Sequence, residues 1–131
     1  MRKKPPIPRT DVPATRAAGD AAEQAAADFL EAQGLHLVAR NYRCLRGELD
    51  LIAEQGEALV FVEVRLRSRG DFGGGLASVD WRKQQRLIAA AQHFLQQHPR
   101  MADRPCRFDV IALGPGRDTA PAWIRNAFDA G

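Results

Sequence analysis

Residues 48–66 read ELDLIAEQGEALVFVEVRL. Two β-forming runs, Glu48–Ala53 and Leu59–Leu66, flank the turn-like Glu54-Gln55-Gly56-Glu57, which is the pattern of a β-hairpin. Strand side chains alternate between faces, so Val60, Val62, Val64 and Leu66 are expected on one side as core, and Phe61, Glu63, Arg65 and Arg67 on the other. On the preceding strand Leu49 and Leu51 alternate with Glu48 and Asp50. A loop with an even number of residues puts Glu48 and Asp50 on the face of Glu63 and Arg65, with Asp50 and Glu63 as direct or diagonal cross-strand neighbours.

Glu63 then sits in the most hydrophobic segment of the chain, where an ionised carboxylate is costly unless it is paired or bound to a metal. Two carboxylates at cross-strand range repel each other unless a cation lies between them. One reading is an ion-pair cluster in which Arg65 and Arg67 neutralise Asp50 and Glu63. The other is a hard divalent ion, Mg2+ or Mn2+, which prefers oxygen ligands. The second is favoured, because apolar residues would serve a sheet interior at least as well as a buried ion pair.

Downstream, 67–79 holds Gly70, Gly73, Gly74 and Gly75 without apolar periodicity and reads as a flexible loop. It lacks the frame of a phosphate-binding P-loop. Asp80 can cap a helix over 81–97, with Leu87, Ile88, Ala91, Phe94 and Leu95 on one face and Pro99 beyond its end. A strand over 107–113 follows, and 122–126 reads as an edge strand. Upstream, Ala18, Ala22, Ala25, Ala26, Phe29 and Leu30 fall at helical spacing over 15–33, with Gly34 as the stop. A strand over 35–42 leads into a polar turn at 43–46. The order is α-β-β-β-α-β with one extra strand, a mixed sheet flanked by helices in the α/β class. Residues 1–14, with four prolines and few apolar residues, read as a basic tail, and 15–131 as one domain.

The chain has 131 residues, enough for one hydrophobic core. Its 45% hydrophobic and 27% charged residues exclude a disordered chain. No apolar run reaches the ~20 residues of a membrane span, and no apolar segment follows the basic start, so a cytoplasmic protein without membrane attachment is expected. Cys44 and Cys106 give no zinc or disulfide pattern, and His36, His93 and His98 no metal spacing. The net charge is +3, and all positive residues except Lys3, Lys4 and Lys83 are arginines. A plain basic domain from a GC-rich genome shows the same bias, while the mild excess favours a polyanionic partner and arginine forks suit phosphates. Arg82, Lys83 and Arg86 at the start of the second helix oppose its dipole, which points the same way. Arg40, Arg43 and Arg67 flank the hairpin and join the candidate nucleic-acid contacts. Trp81 and Phe72 could stack on bases, although burial is the better expectation for both. Trp123 and Phe128 are expected to close the core.

The string Gly19-x-x-x-Glu23, Arg40-Asn41-Tyr42, Gly47-Glu48-Leu49-Asp50-Leu51-Ile52, Phe61-Val62-Glu63-Val64-Arg65, Lys83 and Arg107-Phe108-Asp109-Val110 resembles the YraN family. These are small bacterial proteins with a restriction-endonuclease-like fold, similar in layout to Holliday-junction resolvases and in motif to PD-(D/E)XK nucleases. The resemblance implies Asp50 and Glu63 as ligands of Mg2+ or Mn2+, Glu23 as an additional acid from the first helix, and Arg65 at the position of the motif lysine. An arginine there keeps the charge that steadies a phosphate but cannot act as a general base near neutral pH. The implied activity is metal-dependent phosphodiester cleavage, DNA ahead of RNA, with a homodimer expected because resolvase-like sites cut two strands. The rival is a catalytically silent nucleic-acid adaptor on the same fold. A protein-interaction scaffold with a purely structural acidic cluster is a third reading.

Overall fold

The computed structural model describes residues 14–67, 79–114 and 120–130. Most of the proline-rich tail, the glycine-rich loop and Phe72 lie outside these residues. Helix α1 spans Ala14–Ala32, strands β1, β2 and β3 span His36–Cys44, Gly47–Gln55 and Ala58–Leu66, helix α2 spans Trp81–Gln97, and strands β4 and β5 span Cys106–Leu113 and Ala122–Phe128. A short 3-10 turn at Pro99–Met101 follows α2. The five strands form one mixed sheet in the order β1-β2-β3-β4-β5, antiparallel throughout except for the parallel β3–β4 pair that α2 bridges. This is the expected flanked sheet, with β5 at one edge and extending two residues beyond the expected end. No helix among the described residues is long and apolar enough to cross a membrane.

Each helix forms where its composition asks for one. Asp80 accepts from the Lys83 backbone N–H at 2.8 Å and so occupies an otherwise orphaned donor of the first turn of α2. In α1 the small residues Ala22, Ala26 and Ala27 bring the helix backbone close to the sheet, and Leu30 completes the seam. Ala25, expected inside, is exposed.

The sheet is covered on both faces. Val60, Val62, Leu51, Ala53, Ile111 and Leu113 pack against α1, while Phe61, Ile52, Leu49, Phe108 and Val110 pack against Leu87, Ile88, Ala91 and Phe94 of α2. The expectation of a single core face on β3 is therefore corrected, because Phe61 is as buried as Val60 and Val62. A strand covered on both sides reads as a continuous apolar run, which 59–62 is. Leu66, expected in the core, is 54% exposed at the end of β3, and Trp81, expected to be buried, is 71% exposed. Trp123 is half-buried, meeting Phe29 edge to face, and Phe128 stacks on Phe108, so both help close the core.

Candidate active site

Asp50 is where β2 stops behaving as a regular strand. Leu51 and Ala53 pack toward α1 and Ile52 toward α2, as alternation requires, but Leu49 packs toward α2 although it lies two residues from Leu51. The reading of Leu49 and Leu51 as one face is thus corrected, and the break falls between them. Backbone pairing of β2 with β3 runs from Gln55↔Ala58 to Leu51↔Val62. One step further, where Asp50 comes level with Glu63, the backbone N–H of Val64 donates to Asp50 Oδ2 at 2.8 Å. A side chain has taken the place of a ladder carbonyl, which opens β2 away from β3 at this point. Across the sheet, the register Arg40↔Leu51 and Tyr42↔Leu49 sets Asn41 opposite Asp50, and Asn41 adopts φ 51, a left-handed conformation that side chains other than glycine rarely take. Both strands are irregular at the same level.

Asp50 and Glu63 meet as the alternation argument anticipates, and they share a hydrogen bond. Glu63 is 7% exposed. Burial first and the Asp50 charge second push its pKa up to about 7, against the opposing pull of Lys83. Burial also raises Asp50, opposed by the Val64 N–H, the bond to Glu63 and the Lys83 charge. Below about pH 7 Glu63 therefore holds a proton, which it donates to Asp50. Lys83 Nζ lies 3.3 Å from Glu63 Oε2. The lysine placed among the nucleic-acid contacts thus faces the carboxylate pair directly, reaching it from α2.

Glu23 is half-buried on α1. Its pKa is raised by burial first and next by the Asp50 charge, while a hydrogen bond from Asn41 favours its ionised form. It stands within electrostatic reach of the pair. Among the described residues no three His, Cys, Asp or Glu side chains converge to hold a metal. Arg65 follows Glu63 by two positions on β3, half-buried.

An open cleft of about 410 Å³ leads to Asp50 and Lys83, and Arg43, Arg46 and Arg86 line it together with Leu45, Gly47 and Glu48. Gly47 lets β2 and α2 meet closely at the cleft wall, because a Cβ there would stand 2.3 Å from the Arg86 carbonyl oxygen. Among the other basic residues singled out, Arg43 lies in the cleft wall and pairs with Glu48 at 2.8 Å. Arg40 instead reaches back to Gln24 on α1 at 2.7 Å, and Arg67 Nη2 donates to the Ala120 carbonyl at 3.2 Å. Arg82 is exposed and is not part of the cleft wall. Sequence reasoning gives Arg46 no role at the site, and it names Glu48 only as a neighbour on the same face and Asn41 only as part of the motif string. For Arg46 a signal existed, since a turn joining the strand that leads to Asp50 must project near that strand's start.

The donor set suits a hard divalent cation. Two adjacent carboxylates that otherwise share a proton can bind Mg2+ through one oxygen each, with water or phosphate oxygens supplying the remaining positions. The residues that would hold it are Asp50 and Glu63.

Comparison with known proteins places the chain among close relatives. It is 55% identical over 114 residues to a UPF0102 protein of Pseudomonas entomophila, covering 86% of this chain and 93% of the relative. It is 54% identical over 112 residues to one of Alcanivorax borkumensis, covering 84% and 90%. With one of Stutzerimonas stutzeri it shares 51% identity over 117 residues, covering 88% and 98%. Residues 22–113 match the model of the uncharacterised protein family UPF0102, a segment that runs from α1 through β4 and includes every residue of the carboxylate cluster, so the chain belongs to the UPF0102 (YraN) family.

Proposed function

We propose that this protein is a nucleic-acid-binding phosphodiesterase that works with Mg2+ or Mn2+ on DNA. The observation that carries this reading is the buried Asp50–Glu63 pair, whose Asp50 lines a cleft together with Lys83, Arg43, Arg46 and Arg86. Acidic groups under a cationic mouth suit a substrate that is itself an anion and arrives with a cation. The cation, when bound, lowers the pKa of a water and offsets phosphate charge.

The chain's own residues have separable tasks in this reading. Arg43, Arg46 and Arg86 hold phosphates along the cleft. Asp50 and Glu63 give up their shared proton when the cation binds, so binding strengthens as pH rises through about 7. Lys83 supplies the ammonium that the resemblance would put at Arg65. Unlike the planar arginine fork, a lysine ammonium is a compact charge with three donors that can turn toward a phosphate oxygen. Arg65 then serves as a fixed positive charge on the same strand as Glu63.

The test is cleavage of a panel of branched, duplex and single-stranded DNA and RNA with Mg2+ and with Mn2+. Wild type should cut with either ion, Lys83→Ala should lose most of the activity, and Asp50→Asn/Glu63→Gln should lose all of it. Cutting undiminished in the double variant would reject the site. Binding without cutting by the wild type on every substrate would leave the silent adaptor as the function.

A further inference from the structure

The two tight hairpin turns of the sheet differ in kind. The β2–β3 turn obeys ordinary turn chemistry: Gly56 takes φ 59, and Arg104 clamps the loop by donating to the carbonyls of Glu57 at 2.8 Å and Gly56 at 3.0 Å. The β1–β2 turn has Leu45 and Arg46 at its centre, between the paired residues Cys44 and Gly47. Neither residue adopts positive φ, so this is none of the primed turns that two-residue hairpins prefer. Leu45 is fully exposed, at 106% of its reference area, between Arg43 and Arg46. The base of the turn is held in place, because Gly47 lies directly against the α2 backbone at Arg86. A local rule broken on a firmly seated element is characteristic of a functional site.

The position of the remaining exposed apolar side chains extends the argument. Among the described residues the large exposed hydrophobics are Leu45, Leu66 and Trp81. All three belong to the end of the sheet that carries the carboxylate pair. Leu66 follows Glu63 by three residues on β3, Trp81 opens α2 two residues before Lys83, and Leu45 lines the same cleft as Asp50. Isolated exposed leucines are ordinary on protein surfaces, but three large apolar groups at the one end of the sheet where a cationic cleft opens are not a scatter. An intact duplex offers such a rim nothing apolar except through its stacked bases. A step where stacking is already interrupted offers exposed base faces, and proteins enter such steps with Leu, Phe, Ile or Met flanked by cations.

We propose that the β1–β2 turn is a wedge for an unstacked step in DNA. Leu45 enters the step, Arg43 and Arg46 hold the phosphates on either side, and Trp81 covers a displaced base. This proposal rests on the nucleic-acid reading above and names the substrate class for that site: DNA interrupted by a nick, gap or junction rather than uniform duplex. It requires no bond to form or break.

Binding to a nicked duplex with 2-aminopurine beside the nick, and to the same duplex sealed, tests it, with Ca2+ in place of Mg2+ to hold off cleavage. Wild type should favour the nicked duplex by about tenfold, since stacking one base is worth roughly 1–3 kcal/mol, and should raise the 2-aminopurine fluorescence. Leu45→Ser should bring the preference close to one and abolish the rise, while Leu45→Phe should keep both. Leu45 is fully exposed, so an unchanged melting temperature verifies that each variant is folded. If Leu45→Ser matches wild type in preference and fluorescence, the wedge is wrong while the nucleic-acid reading stands. Equal wild-type binding to both duplexes also rejects the wedge alone. No wild-type binding to either duplex at low salt would reject both readings together.

Discussion

Two carboxylate centres are buried in this sheet, and their surroundings differ in kind. Asp109 on β4 is 1% exposed and fully partnered: Arg107 donates at 3.0 Å and 3.2 Å, Trp123 Nε1 at 2.9 Å and the Asn126 backbone N–H at 2.9 Å. One carboxylate there meets more donors than it has oxygens. On the two preceding strands, β3 and β2, Glu63 and Asp50 face each other with one backbone N–H and one lysine beside them. The first centre satisfies itself and stitches β5 to β4. The second has one ammonium for two carboxyl groups, a shortfall that a proton on Glu63 makes up and that a cation can make up in its place. Burial of an acid thus says little by itself, and the count of donors aimed at it separates a self-satisfied carboxylate from one with room for a further partner.

The largest effect should come from the self-sufficient centre. Asp109→Ala leaves Arg107, the Trp123 indole and the Asn126 N–H without their acceptor, and should destabilise the fold by roughly 3 kcal/mol in urea unfolding. A loss below about 1 kcal/mol would erase the contrast. The deficient centre should respond to metal. With Mg2+ or Mn2+ at about a hundred times its Kd, the wild type should gain roughly 2.7 kcal/mol and melt correspondingly higher. Asp50→Asn should abolish this gain, and an equal rise in the variant would place the cation elsewhere.

The pH response of the two centres sharpens the same contrast. Glu63 binds its proton more tightly folded than unfolded, with its pKa raised from 4.5 to about 7. Without metal, its contribution to stability is complete below pH 4.5 and is lost as pH rises through about 7. Glu63→Gln should flatten this slope and raise the melting temperature at pH 8, where the native pair is doubly charged. A steeper slope in the variant would assign the titration to another group. The smallest effect belongs to Asn41→Gly, which relieves the left-handed backbone and loses the hydrogen bond to Glu23. Stability should change by no more than about 1 kcal/mol, while the metal-induced rise in melting temperature shrinks. A larger loss of stability with an intact metal response would make Asn41 purely structural.

Much of this architecture is readable from local patterns. Helix α2 appears over Trp81–Gln97 with Asp80 as its cap, because apolar spacing, a capping aspartate and a trailing proline agree. Glu63 stands out because a charge interrupts an apolar run. The parity argument brings Asp50 to Glu63, yet it assumes a regular strand and so misassigns Leu49, whose side chain changes face where β2 opens from β3. In sequence Lys83 reads with Arg82 and Arg86 as a phosphate contact, because its partner Glu63 lies twenty residues earlier and only the packing of α2 on the sheet brings the two together. Trp81 was expected inside on composition alone, while its exposure depends on where the helix starts relative to the sheet's end.

The contact between Gly47 and the carbonyl of Arg86 has a genetic consequence. Any side chain at residue 47 collides with main chain, and no replacement at residue 86 removes a main-chain oxygen. Second-site revertants of a Gly47 substitution should therefore avoid residue 86. They should arise where α2 meets the sheet, at Leu87, Ala90 or Ala91, where a smaller or reshaped side chain lets the whole helix slide aside. Because the helix carries Lys83 and Arg86 with it, such revertants should regain folding before they regain the spacing between the acidic pair and its cationic wall.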